Sequence, residues 1–276
     1  FMHGGRGLPP QPAAALAIGR LAAALLVATV EAEEDTGEPF LPEDMREAWM
    51  DQGYLPDDEE NEDYMLELEE DLAARGSVDA LQRLGYRRLV GQGVEQDAGA
   101  AYRDFLAAAA QGEPAAMFNL GYMHLKGIHV EQNFAAAKAH FEAAAAADVS
   151  AAHNGLGAMH WTGEGVPQNL TAAFEAFSRG AAANNSDALF NLGTMYHMGL
   201  GTQQDLEKAV DLFKRADEHG HYKAAISLAL CYESGVGVQA NATAALEYYR
   251  KFFLDRAGWT SEISAASHAL DAGDAW

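Results

Sequence analysis

Apolar, small and polar positions recur along this chain with a period of 36 residues, through five copies without insertion or deletion. Each copy has an alanine and, four residues later, a leucine, which glycine follows in four of the five, as in Ala80, Leu84 and Gly85. This spacing places the three residues on one face of an α-helix, where the small side chains let a second helix approach closely. We call this predicted helix A.

A glycine turn ends each predicted A helix and leads into a second helix, B. Paired glycines such as Gly91 and Gly93 supply the positive φ angles of a helix end and a tight turn. In the second copy His129 replaces the second glycine, and we expect it to break the turn. The residue at the N-cap of helix B is Asp or Asn in every copy: Asp97, Asn133, Asn169, Asp205 and Asn241.

The buried face of helix B is predicted from residues spaced four apart, which are Ala101, Phe105 and Ala109 in the first copy and Ala137, Phe141 and Ala145 in the second. Each B helix is expected to end at a residue that tolerates the left-handed conformation: Gly112, Asp148, Asn184 or Gly220. One repeat is therefore a helical hairpin. A single hairpin cannot bury both helices, so the five are expected to stack. The predicted fold is all-α, an α-solenoid of stacked 36-residue helical hairpins.

The charge of the chain is concentrated in one segment. The 18 Lys and Arg against 41 Asp and Glu give a net charge of −23, which argues against a nucleic-acid binder. Residues 31–63 are read as an acidic, disordered insertion, with a low-affinity calcium or basic-partner surface as the alternative. Leu66, Leu68 and Leu72 restore helical spacing after Tyr64, so residues 64–258 are expected to hold a leading helix and the five repeats.

Residues that could carry chemistry are better explained by packing. His124 and His160 occupy the helix A position of Tyr196 and Tyr232, and equivalent side chains on neighbouring helices lie too far apart to share a metal ion. The single cysteine, Cys231, falls inside a predicted helix and is expected to be a small buried residue; its isolation also excludes a disulfide scaffold. No phosphate-binding loop or nucleophile motif is present. We therefore expect no enzyme activity, no metal and no cofactor.

A further stripe on helix A is enriched in large side chains. It lies three residues before, one after and four after the glycine of the Leu-Gly pair. Packing against the next repeat is one interpretation, and an aromatic partner groove on a concave face is the other. The candidate partner-binding residues are Phe118, Tyr122, Leu125, Trp161, Phe190 and His197.

The period of 36 and the glycine turn resemble the Sel-one-like repeat family rather than tetratricopeptide repeats. Features outside the repeats point to one branch of this family. Residues 1–30 resemble the second half of a preceding repeat, and an N-terminal signal peptide is the alternative interpretation of this segment. Residues 31–63 match an interruption between repeat groups, and residues 259–276 the start of an atypical short-turn repeat. The chain thereby resembles the lumenal adaptors of HRD-type ubiquitin ligases.

That resemblance implies a non-catalytic adaptor in endoplasmic-reticulum-associated degradation, lying in the lumen and anchored to the membrane through parts of the protein outside this chain. The implied partners are an HRD-type membrane ubiquitin ligase, lectin-type substrate receptors and misfolded glycoproteins, and homo-oligomers are compatible with it. Three glycosylation sequons, at Asn169, Asn184 and Asn241, agree with a lumenal location. The alternatives are a generic repeat scaffold with another partner and, less in keeping with a lone Cys231, a β-lactamase-like repeat enzyme.

Overall fold

The computed structural model describes Arg20 and residues 59–254. The expectations for the segment before the first repeat, for residues 31–58 of the insertion and for residues 259–276 lie outside these described residues, apart from Arg20 itself. Residues 59–254 form helices joined by short turns and contain no strand. The helices are α1 (Glu59–Ala74), α2 (Val78–Val90), α3 (Ala98–Ala109), α4 (Pro114–Lys126), α5 (Phe134–Ala145), α6 (Ser150–Thr162), α7 (Leu170–Ala182), α8 (Ser186–Met198), α9 (Leu206–Glu218), α10 (Tyr222–Ser234) and α11 (Ala242–Leu254).

The ten helices from α2 to α11 form five hairpins, each with an A helix (even numbers) followed by a B helix (odd numbers). The two helices of a hairpin pack together, and each B helix from α3 to α9 packs on the A helix of the next repeat. The predicted all-α solenoid is therefore confirmed. Helix α1 takes the place of a B helix ahead of the first repeat, and it begins at Glu59, within the acidic stretch assigned to the insertion.

The predicted caps are all found. The side-chain oxygen of each predicted N-cap residue accepts a hydrogen bond from the backbone N–H three residues later, as from Ala100 to Asp97 at 2.8 Å. Each A helix ends at a glycine in the left-handed region, with φ of 77° at Gly91. The non-glycine B-helix ends do the same, at Asp148 with φ of 60° and Asn184 with φ of 59°.

The expectation that His129 breaks the second turn is wrong. His129 has φ of 63°, close to the 70° of Gly165 at the same position of the next repeat. A side chain fits here because the preceding B helix carries Gly99, whose missing Cβ would lie 2.9 Å from the imidazole. The ring also contacts Tyr102, with centroids 5.9 Å apart. The turn is kept because a glycine thirty residues earlier leaves room for the histidine.

The glycine of each Leu-Gly pair brings the two helices of a hairpin into contact. A Cβ at Gly121 would lie 2.7 Å from the ring of Phe141, and one at Gly157 would lie 2.6 Å from Phe177. Real side chains do not approach this closely, so the aromatic ring of helix B fills the space that glycine leaves. The close-approach role predicted for this position is confirmed.

The predicted buried face of helix B is confirmed except at its last position in the first two repeats, where the neighbouring alanine is buried instead. Ala108 and Ala144 are fully buried, whereas Ala109 and Ala145 are half-buried. The residue three positions after the aromatic one therefore faces the core in these helices, rather than the residue four positions after it. Both spacings lie on the same side of a helix, and a run of alanines does not distinguish them.

A glutamine side chain closes the turn between helices A and B in four repeats. Gln168 donates from Nε2 to the backbone oxygen of Trp161 at 2.7 Å, and this carbonyl belongs to the last turn of helix A, where intrahelical partners are lacking. The residues that share this role are Gln96, Gln132, Gln168 and Gln204. The fifth repeat has Ala240 in this place.

Candidate functional site

The A helices form the inner side of the stack. Helix α4 contacts α6, and α6 contacts α8, whereas successive B helices within residues 59–254 meet less extensively. A hydrogen bond of 2.9 Å from Asn191 Nδ2 to Asn154 Oδ1 joins α8 to α6 directly. The A helices of these repeats therefore lie closer to one another than the B helices do, and we call the shared face of the A helices the inner face.

The six candidate partner-binding residues differ in accessibility. Phe118 is only 7% exposed, and its ring lies 5.5 Å from that of Phe141, so it belongs to the packing between helices. The other five are half-buried. Leu125 packs against the core cluster that contains Ala151 and Met159 of the next repeat. Some residues of the stripe thus pack between repeats, and others are partly accessible on the inner face.

Two aromatic residues of the stripe are held by ring contacts on one side. Trp161 meets Phe177 edge-on, with centroids 5.8 Å apart. Phe190 stacks on His221 at 4.1 Å and contacts Phe213 at 5.4 Å. Such contacts restrict the rotamers of the two side chains while leaving part of each ring accessible. Pre-ordered rings of this kind lose little conformational freedom when they bind a partner.

The sequence reasoning missed two exposed apolar residues on the A helices. Met198, at the end of α8, is 59% exposed, and Leu230, in α10, is 45% exposed. Leu230 stands at the repeat position of Tyr122, one residue after the glycine site, so the register contained a signal for it. Met198 precedes the helix-ending Gly199, and the stripe pattern does not include that position.

The A helices of the second, third and fourth repeats carry little charge, whereas α2 contains four charged residues and α10 two. Helices α4, α6 and α8 together contain two charged side chains, Lys126 and Asp187, both near helix ends. The outer helix α9 has the sequence LEKAVDLFKRADE, in which seven of thirteen residues are acidic or basic. In a chain with a net charge of −23, the A helices of the central repeats thus present an uncharged surface.

The histidines pair with neighbouring rings rather than around an ion. His124 Nε2 lies 3.2 Å from the Tyr102 hydroxyl, and its ring stacks on His140 at 5.5 Å. Partial burial, together with the nearby His124, lowers the pKa of His140. Within the described residues no three His, Cys, Asp or Glu side chains are grouped to bind a metal.

Cys231 has the structural environment that was predicted for it. The side chain is 4% exposed and has no disulfide partner. Burial raises the pKa of its thiol, so the reactive thiolate is disfavoured.

A second concavity lies beside the first turn and has a different chemistry. It is an open cleft of about 610 Å³. One of its two basic groups, Arg88, is paired with Asp104 at 2.7 Å and with Glu70 at 3.5 Å. The cleft is lined by Glu70, Arg88, Val94, Glu95, Gln96, Asp97, Ala100 and Arg103.

The three sequon asparagines are exposed. Asn169 and Asn241 use their side-chain oxygens as N-caps, at 3.0 and 3.1 Å from the backbone nitrogens of Ala172 and Ala244. Asn184 lies in the loop after α7, where its oxygen accepts a hydrogen bond from Arg215. Within the described helices, none is long and apolar enough to span a bilayer.

The stacked hairpins define the class of helical-repeat solenoid proteins. The chain belongs to the Sel1 repeat family, whose profile matches residues 78–113, 114–149, 150–185, 186–221 and 223–252. These matches coincide with the five hairpins.

Two solved structures from bacteria are similar to this chain at 26% identity. A protective antigen of uropathogenic Escherichia coli strains that displays an SLR fold has a TM-score of 0.61, and the match covers 75% of this chain and 48% of the antigen. A Sel1 repeat protein from Oxalobacter formigenes has a TM-score of 0.59, with 73% and 87% covered. The present chain thus spans about half the length of the antigen.

A third structure, an immunity protein from Pseudomonas aeruginosa, is 18% identical with a TM-score of 0.53, and the match covers 81% of this chain and 85% of that one. At this identity it shows the fold alone. No curated protein sequence matches the chain. The comparisons support the repeat family and give no support to the narrower resemblance to HRD adaptors.

Proposed function

We propose that this protein is a non-catalytic scaffold that binds another protein on its inner face. The observation that carries the proposal is the scarcity of charge on α4, α6 and α8, combined with partly exposed large side chains on the A helices. Tyr122, Trp161, His197, Met198 and Leu230 supply apolar and aromatic contact area there. Aromatic residues are the ones most often found at the energetic centre of protein interfaces.

The chemistry of the inner face favours an uncharged, apolar partner segment. A charged segment would lose hydration there without meeting a compensating charge, since α6 contains no Asp, Glu, Lys or Arg. The carboxamides of Asn154 and Asn191 add hydrogen-bonding groups in the middle of the face. An apolar helix or extended segment with polar ends fits this surface better than an acidic or basic peptide.

Peptides selected against the intact protein from a random display library test the proposal. We expect the selected peptides to be apolar and low in charge, and Trp161→Ala to weaken their binding by about 2 kcal/mol, roughly thirtyfold. Leu230→Ala and Leu106→Ala form a matched pair, because both leucines are similarly exposed, at 45% and 43%, but Leu106 lies on the B helix α3. Only the change at Leu230 should reduce binding.

Equal effects of Leu230→Ala and Leu106→Ala, or selection of strongly charged peptides, would contradict an inner-face site. Circular dichroism of each variant separates loss of binding from loss of folding. If Trp161→Ala lowers the free energy of unfolding by the ~3 to 5 kcal/mol typical of core truncations, the residue is part of the inter-repeat core and not of a binding surface.

The narrower function, a lumenal adaptor of an HRD-type ubiquitin ligase, rests on the resemblance of residues 1–63 and 259–276. Exposure of the asparagine at each sequon is compatible with it. Its test is expression of the protein in a eukaryotic cell with a secretory leader. Glycan modification at Asn184 and co-purification with an HRD-type ligase would support the adaptor function, and absence of that ligase from the purified complex would leave the generic scaffold.

A further inference from the structure

The fifth repeat ends in an aromatic face that is fully buried. Tyr249 and Phe252, on the last described helix α11, are 0% and 2% exposed. In an earlier repeat the ring at the position of Tyr249 packs on the following A helix: Phe141 lies 3.1 Å from where a Cβ at Gly155 would be. No described helix follows α11. The residues that cover this face are therefore to be sought outside residues 59–254.

Arg20 points to these residues. Its Nε lies 3.2 Å from Glu233 Oε1 in α10, and the other carboxylate oxygen of Glu233 accepts a hydrogen bond from the Tyr249 hydroxyl at 2.9 Å. Glu233 holds the repeat position of Leu125 and Trp161, two residues that pack against clusters of the next repeat. Arg20 thus lies at the C-terminal end of the stack, beside the buried aromatic face.

The sequence around Arg20 has the pattern of an A helix. Ala14, Ile18 and Gly19 repeat the spacing of the alanine, leucine and glycine of each A helix, with isoleucine in place of leucine. We propose that residues 12–30 dock on the fifth repeat of the same chain in the place of a sixth A helix, with Arg20 paired to Glu233. This placement differs from the expectation that residues 1–30 precede the first repeat.

The connection between the two parts is long enough. Residues 21–58 could span roughly 125 Å when fully extended. Five stacked hairpins at about 10 Å each require a reach of only about 50 Å. The connection is strongly acidic. Because a tethered segment has an effective concentration near millimolar, the same chain supplies it more readily than a second copy does.

A protease-cleavage experiment tests the docking. A recognition site for a sequence-specific protease is inserted between Thr36 and Gly37 of the full chain, and the cleaved protein is passed over a size-exclusion column at micromolar concentration. We expect the fragment that contains Arg20 to co-elute with the repeats. Ile18→Asp should release it, because the aspartate would enter the apolar contact.

Charge variants test the placement on the fifth repeat. Glu233→Arg should weaken retention about fivefold, a change at the upper end of what an exposed ion pair contributes, and Arg20→Glu in the same protein should restore part of it. Glu175→Arg is the matched control, because this glutamate is exposed on α7 in the third repeat and should leave retention unchanged.

Three results would overturn the proposal. Release of the fragment from the wild-type protein as fast as from Ile18→Asp would show that no docking occurs. Equal effects of Glu233→Arg and Glu175→Arg would move the docking site away from the fifth repeat. Retention found only in fractions of twice the monomer mass would assign the docked segment to a second copy. Helix content measured before cleavage verifies that each variant is folded.

Discussion

The pair Gly99 and His129 offers a direct test of how neighbouring repeats fit together. We consider Gly99→Ala, His129→Gly and the double variant. The two positions face each other across the junction of the first and second repeats. The double variant recreates the combination found at the next junction, where Ala135 and Gly165 stand at these positions. The wild-type chain thus already contains one junction with the residues of the double variant.

The magnitudes follow from the contacts. A Cβ at residue 99 would lie 2.9 Å from His129 Cε1 and 3.2 Å from Nδ1, so the ring, which also contacts Tyr102, must shift. Overpacking of this kind costs about 1 to 3 kcal/mol, offset by up to ~1 kcal/mol because alanine favours helix over glycine. Gly99→Ala alone should therefore destabilise by about 1 kcal/mol. With His129→Gly in place, the same change should be neutral or stabilising.

Urea unfolding followed by circular dichroism measures the four proteins, and hydrogen exchange of the α3 and α4 amides localises the effect. We expect a coupling free energy of about 1 to 2 kcal/mol between the two positions, within the range found for residues in contact. Additivity within ~0.5 kcal/mol would refute the steric account. In that case the missing side chain at Gly99 would not be the reason that His129 can adopt a positive φ.

Three further predictions concern single repeats. Ala240→Gln should raise the stability by about 0.5 to 1 kcal/mol in urea unfolding, because it adds the hydrogen bond that four other turns have; an unchanged midpoint would contradict the role given to that bond. Gly121→Val should lower the stability by about 2 kcal/mol through contact with Phe141, and a calorimetric melting temperature equal to wild type would exclude this close approach. The pKa of His140 is lowered in the folded protein, so at acidic pH the unfolded chain binds a proton at this residue more readily than the folded chain does. The stability of the fold is therefore highest, as far as this group is concerned, above about pH 6.5, and it falls as the pH drops through the lowered pKa of the folded state. His140→Phe should therefore reduce the loss of stability between pH 8 and pH 5, and an unchanged loss would show that other groups cause it.

The parts of the fold that could be predicted from sequence are those set by local chemistry. An N-cap such as Asn133 needs only a side-chain oxygen and a backbone N–H three residues away, and a helix end such as Gly91 needs only a positive φ. Both requirements lie within a few residues and recur in register. The hairpin and the solenoid follow from them.

The errors arose where a contact between distant residues decides the structure. His129 adopts a glycine-like angle because Gly99, in another repeat, leaves space for it. The choice of Ala108 over Ala109 depends on the exact rotation of a helix against its neighbours, which a run of alanines does not encode. Phe118 is buried by the ring of Phe141 in the next helix, although its repeat position suggested the inner face.

The turn glycines have a consequence for the history of the array. A Cβ at Gly165 would meet Phe134, and one at Gly201 would meet the backbone of Leu170, so each later turn fits against the preceding repeat in the same way. Junctions that are alike allow a 36-residue unit to be duplicated or lost by recombination without creating a mismatched boundary. The first junction is different, because His129 requires Gly99. Changes in repeat number are therefore expected among the later units, while the first two are inherited together.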